Sequence, residues 1–190
     1  MTVFVAITGA SGAIYAARAI EALGKCGVRI CATISPTGAQ IISHELGLQP
    51  KDLGGPNADV TWYAFDDLSA LPASGSTCAD AMLVIPCSMG TVGRIASGVS
   101  DSLVARAADV CLKERKPLVI VPREAPLSLI HLRNLTTIAE AGGVVLPASP
   151  HFYDRPESID DLAATVVGRA LAQLGVPGAE QPTWRPDEVL

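Results

Sequence analysis

The stretch VFVAITGASGAIYAARAIEALGK (residues 3–25) decides the fold. VFVAIT (3–8) is short, apolar and rich in β-branched residues, which reads as a strand buried on both faces. GASG (9–12) is a turn. Residues 13–25 read as a helix ending near Gly27. A buried strand, a glycine turn and a helix make the first half of a βαβ unit.

The alternation continues along the chain. VRICATIS (28–35) is a second buried strand, and 37–47 a helix stopped by Gly47. Residues 48–77 are irregular, with one short strand candidate near VTWYAF and a flexible loop, ASGS (73–76). AMLVIP (81–86) is a strand and TVGRIASG a short helix. DSLVARAADVCLKE (101–114) is a helix with Leu103, Ala107 and Val110 on one stripe. PLVIVP (117–122) is a strand, 127–141 a helix closed by Gly142 and Gly143, and GVVLP (143–147) a strand. SIDDLAATVVGRALAQLG (158–175) is a helix whose start carries a capping-box spacing, Ser158 to Asp161. The predicted fold class is α/β: a Rossmann-like three-layer α/β/α sandwich around a mainly parallel sheet. One domain is expected over 1–190, with 176–190 as a Pro-rich tail containing Trp184.

Composition narrows the function classes. The longest apolar runs are strand-length, and no signal peptide is evident, so a soluble cytoplasmic protein is expected. Hydrophobic residues make up 49% of the chain and charged ones 17%, which fits surface buried between subunits as well as a well-filled core. Five cysteines without a CxxC pair and three dispersed histidines argue against a disulfide framework and a metal site. A net charge of -5 disfavours nucleic acid. Yet residues 94–133 hold seven basic residues against four acids, which suits a small anionic ligand.

In a parallel sheet, ligands bind outside the carboxyl ends of the strands. Loops 8–12, 35–37, 86–91, 122–126 and 148–157 lie there. TGASGA offers helix-start N–H groups to an anion, or is only a tight turn; it lacks both GxGxxG and a P-loop lysine. PCSMGT (86–91) presents Cys87 and Ser88, either as a nucleophile on a turn or as a loop that holds a ligand through Ser88 and Thr91. No GxSxG elbow supports the nucleophile, and a buried Cys87 would be a small hydrophobe. Arg123 and Glu124 follow a buried strand directly, pairing a phosphate-binding fork with a proton acceptor. Arg106 and Lys113 lie seven apart on one helix, with Asp109 able to pair with either. Arg169 stands among apolar residues and calls for a partner.

Together, ITGASGAIY, ASGS, PCSMGT, RAADVCLKERKPLVIVPREAPL, IHLRN and P-x-FY-x-x-P resemble the UbiX-type flavin prenyltransferases over about residues 3–175. The resemblance implies a flavoprotein that assembles into homo-oligomers, typically dodecamers, with sites between subunits. It implies transfer of a dimethylallyl group from dimethylallyl monophosphate to N5 and C6 of reduced FMN, without a metal. The product, prenylated FMN, serves UbiD-type decarboxylases.

Carried onto this chain, the resemblance makes Glu124, Lys113, Ser11 and Arg123 the catalytic set. Gly9, Ala10, Ser11, Ser35, Ser88, Met89, Gly90, Thr91 and Arg123 would hold FMN. Lys113, Glu124, Tyr153, Arg169, Arg106, Glu45 and Trp184 would surround the prenyl substrate. Two departures from the family pattern, Pro36 and Ala16, bear on local loop shape. Two other readings are a non-catalytic FMN-binding carrier or subunit of an aromatic-acid decarboxylase system, and a flavin-dependent cysteine decarboxylase using a thiol such as Cys87.

Overall fold

The computed structural model describes residues 1–55, 58–77 and 79–179. Six strands form one sheet: β1 (Thr2–Ile7), β2 (Arg29–Ile34), β3 (Val60–Tyr63), β4 (Ala81–Cys87), β5 (Leu118–Pro122) and β6 (Val144–Val145). Their order is β3-β2-β1-β4-β5-β6, and every pairing is parallel. The helices are α1 (Ala13–Lys25), α2 (Pro36–Leu46), α3 (Met89–Ala96), α4 (Leu103–Lys113), α5 (Leu129–Glu140) and α6 (Ile159–Gln173).

Period-two alternation sends successive strand residues into two cores. Val3, Val5 and Ile7 pack with Ala19, Ile20 and Leu23 of α1, Ile42 of α2 and Val167 and Leu171 of α6. Phe4 and Ala6 pack with Val92 of α3, Leu103, Ala107 and Cys111 of α4, and Ile138 of α5. The stripe expected on α4 is therefore its buried face. Losing one such side chain, as in Leu103→Ala, should cost about 2–5 kcal/mol.

The connection from β3 to β4 carries no α-helix. Residues 64–77 instead run across α4: Leu103 donates its N–H to Phe65 O at 2.8 Å, and Arg106 Nε donates to Ala73 O at 3.1 Å. Both family departures are accommodated. Pro36 is the first residue of α2, where a missing N–H leaves no hydrogen bond unmade. Ala16 is fully buried on α1. The Ser158–Asp161 capping box forms as expected, and Gly47 (φ 65) ends α2 in the left-handed region.

Strand order reverses between β1 and β4. The chain winds one way from β1 through β2 to β3, then the other way from β4 through β5 to β6. The crevice at the carboxyl ends of β1 and β4 is the topological switch point.

Candidate active site

Thr8, one residue past β1, joins the two loops of the crevice. Its Oγ1 donates to Pro86 O at 3.0 Å and accepts from the Ser88 N–H at 2.8 Å. Nothing local in the sequence marks Thr8 for this bridge. Ser88 caps α3: its Oγ accepts from the Thr91 N–H at 3.3 Å and lies 3.1 Å from Thr91 Oγ1. Ser35 caps α2 in the same way, through the Gly38 N–H at 3.0 Å. Gly9 has no room for a side chain, because a Cβ there would stand 2.8 Å from Thr37 Cβ and Cγ2. Loops 9–12, 35–38 and 88–91 are thus fastened to one another.

Cys87 is fully buried, and burial pushes its thiol well above the ordinary range. It is part of the core beneath the loop, and the nucleophile reading of Cys87 in PCSMGT ends there. The other described cysteines, Cys26, Cys31 and Cys111, form no disulfide. Among the described residues no cluster of His, Cys, Asp and Glu could hold a metal ion. No described helix is long and apolar enough to cross a membrane.

The N-terminus of α1 differs from its expected role. Its N–H groups do not stand open for a ligand anion, because Glu45 of α2 reaches them: Oε2 accepts from Gly12 N at 2.9 Å and from Ala13 N at 2.8 Å. Burial alone would raise the Glu45 pKa. Hydrogen bonds from Ser11, Ala13 and Gly12, with the charge of Arg123, outweigh it and hold the carboxyl below its ordinary value.

Arg123 and Glu124 do not pair with each other. Arg123 Nε donates to Ser11 O at 3.0 Å, and Glu124 Oε1 accepts its neighbour's N–H, Ala125 N, at 3.1 Å. Tyr15, unassigned in the sequence reading, also lies beside Arg123. Burial raises its phenol pKa and the Arg123 charge opposes that rise. Its ring stands where a Gly12 Cβ would be. Tyr153 is exposed in the loop after β6, its ring centroid 5.8 Å from that of His151.

Several expected site residues lie elsewhere in the chain's own fold. Asp109 pairs with Arg106, at 2.8 Å, and not with Lys113. Lys113 ends α4 and forms an ion pair with Glu114 beside Gly75. A helix following a parallel strand returns toward the amino edge of the sheet. Lys113 therefore stands at the opposite edge from Arg123, and α4 is about 16 Å long at 1.5 Å per residue. Arg169 is exposed on α6, because its neighbours Val167, Gly168, Ala170 and Leu171 face inward and leave it outward. Trp184 lies outside the described residues.

A parallel Rossmann-like sheet with its functional loops at the β1/β4 switch point defines a nucleotide- or flavin-binding class. The Flavoprotein family model matches residues 1–171. A flavin prenyltransferase UbiX from Methanothermobacter thermautotrophicus is 45% identical over 174 residues, spanning 92% of this chain and 90% of that protein. A UbiX crystal structure in complex with FMN and dimethylallyl pyrophosphate superposes with a TM-score of 0.91, at 39% identity over 97% of both chains. A dodecameric FMN-dependent UbiX-like decarboxylase from Escherichia coli O157:H7 matches equally, at TM-score 0.91 and 39% identity over 97% of this chain and 100% of its own. The chain belongs to the UbiX family of flavin prenyltransferases.

Proposed function

We propose that this protein transfers a dimethylallyl group from dimethylallyl monophosphate to N5 and C6 of reduced FMN, making prenylated FMN for a UbiD-type decarboxylase. The observation that carries this reading is the interlocked loop set at the β1/β4 crevice, in a chain 39% identical to a UbiX that holds FMN and dimethylallyl pyrophosphate. The residues present fit a flavin. Gly90 leaves bare, exposed backbone in the first turn of α3, after β4, where a Cβ would meet only Arg94, at 3.4 Å. Among the described residues Arg123 commits only its Nε, and its remaining N–H groups are available to an anion or ring heteroatom.

FMN, when bound, supplies the nucleophilic atoms that receive the prenyl carbon. Gly9, Ala10, Ser11, Ser35, Ser88, Met89, Gly90, Thr91 and Arg123 hold it. Breaking the allylic C–O bond places negative charge on the departing phosphate. Lys113, Arg123 and Arg169 stabilise that charge, and Arg106 and Tyr153 help to orient the donor. Glu124, exposed at the end of β5, is placed to accept or relay a proton. A site closed against water protects the allylic cation from capture.

Lys113 reaches this site from a second copy of the chain, since its own Arg123 stands at the other edge of the sheet. A homo-oligomer has further support in α5, which buries only Ile138. Leu129, Ile130 and Leu132 on α5 are exposed, as are Val99, Leu127 and Phe152, a large amount of apolar surface for a free protomer. The dodecamer of the Escherichia coli neighbour is the assembly we propose.

Anaerobic incubation with reduced FMN and dimethylallyl monophosphate tests the reading. The expected product is a flavin heavier by one C5H8 unit. Recovery of bound but unmodified FMN from active preparations would overturn it in favour of a carrier.

A further inference from the structure

Glu45 lies 33 residues from Gly12 in sequence and on a different helix, yet its carboxylate reaches the first turn of α1. Oε2 accepts from Gly12 N at 2.9 Å and Ala13 N at 2.8 Å, and Oε1 accepts from Gly12 N at 3.2 Å. A helix start leaves its first N–H groups without partners inside the helix, and these attract negative charge. Here two of them already have an anion.

The same carboxylate takes a hydrogen bond from the Ser11 side chain. The Ser11 carbonyl accepts from Arg123 Nε at 3.0 Å. Ser11 is thus held from both ends: its hydroxyl hydrogen points to Glu45 and its carbonyl to Arg123. With the hydrogen committed, the hydroxyl oxygen offers only lone pairs to the crevice. A phosphate, rich in acceptors, gains no bond there and meets a like charge on Glu45.

We propose that Glu45 is a positioning residue that acts through Ser11 and the N-terminus of α1, and that no ligand phosphate occupies that helix end. This departs from the family-based expectation, in which Glu45 belongs to the surroundings of the prenyl substrate. Glu45 presets loop 9–12 before any ligand binds, and phosphate recognition falls to Arg123 and to cations from other elements.

The full-length protein carrying Glu45→Ala provides the test, with Glu45→Gln as the conservative variant. Three quantities are measured: hydrogen-exchange protection of the Gly12 and Ala13 amides, the Kd for FMN, and the KM for dimethylallyl monophosphate. In Glu45→Ala, protection at both amides should fall at least tenfold and FMN should bind at least tenfold more weakly. KM for the donor should stay within about twofold, measured at saturating FMN. Acetate should restore protection and FMN binding, and inorganic phosphate should protect these amides in the variant but not in the native protein. Glu45→Gln should fall between the two, since an amide oxygen still accepts while its NH2 group opposes the N–H donors. The proposal is overturned if protection and FMN affinity are unchanged while KM rises, or if phosphate protects Gly12 and Ala13 in the native protein. The exchange and FMN readouts need no turnover, so they can fail independently of the prenyl-transfer reading.

Discussion

The loop cluster at the carboxyl edge and the cations of α4 and α6 are two differently built regions. In the first, each of the elements around the β1/β4 crevice is tied to a neighbour. Thr8 links two loops, Glu45 binds α2 to α1, and Arg123 binds the end of β5 to Ser11. In the second, Lys113 stands at the far edge of the sheet and Arg169 points outward from α6. One region is complete within a protomer. In the proposed reading the other acts only where another copy brings it to a crevice. Flavin binding would then draw on the single chain, and donor-phosphate binding on the assembly.

The strongest way to break this contrast is subunit mixing. Lys113→Ala and Glu124→Gln should each lower kcat about 10²–10³-fold when every subunit carries the change, the usual cost of losing one group that stabilises transition-state charge. If Lys113 serves a neighbour's site, an equal mixture of the two variants, unfolded and reassembled together, should regain roughly a quarter of native activity. That is the fraction of sites that draw an intact Lys113 and an intact Glu124 from different chains. Each variant alone should still bind FMN. No regain on mixing would place Lys113 and Glu124 of one site on the same chain.

Gly9→Ala probes the cluster itself. The new Cβ would stand 2.8 Å from Thr37 Cβ and Cγ2, and Thr37 Cβ can give way only with its backbone. Overpacking of this kind costs about 1–3 kcal/mol, readable as a lower urea midpoint with an unchanged slope. FMN affinity should fall with it. The donor-side cations should be indifferent, so native KM for the donor at saturating FMN would keep the two regions separate.

Ser88→Ala should have a smaller effect. It removes the cap of α3 and one hydroxyl partner of Thr91, about 0.5–2 kcal/mol by the behaviour of helix caps. Thermal unfolding should move down by a few degrees, and FMN should dissociate faster. Unchanged stability would mean that a ligand, not the helix, is the main partner of this hydroxyl.

The contrast also explains what could be read from the sequence. Strands, helices and the five carboxyl-edge loops rest on short-range signals: apolar runs, glycine turns and caps. Cys87 was assignable to packing because it ends a continuous apolar strand. Glu45 is different. Nothing within α2 marks its carboxylate for a helix start 33 residues away, and only the α1–α2 packing brings it there. Arg123 and Glu124 are adjacent and so suggest a pair, but each takes a different partner, Ser11 O and Ala125 N. For Arg169 the expectation of a partner came from its apolar neighbours, whose helical spacing leaves it the outward position within its own protomer. For Lys113 a topological signal was present: a helix that follows a parallel strand ends at the opposite edge.

The smallest effect sharpens the account of the cluster. Hydrogen bonds to its ionised form hold the Glu45 carboxyl below its ordinary value, so the folded protein binds its proton less tightly than the unfolded chain does. The resulting stabilisation is fully present above the ordinary carboxylate range. It is lost as pH falls through that range and then through the lower folded value. Glu21, held down by Lys25 and Arg18, shares this direction, as do Asp67, Glu114 and Asp161. Total acid unfolding therefore cannot isolate Glu45. The difference between the native protein and Glu45→Gln can, because the other carboxylates cancel. Native FMN retention and Gly12 amide protection should decline on acidification with a step that Glu45→Gln lacks. Parallel curves for the two proteins would mean that the contact between Glu45 and α1 contributes nothing to the loop at neutral pH.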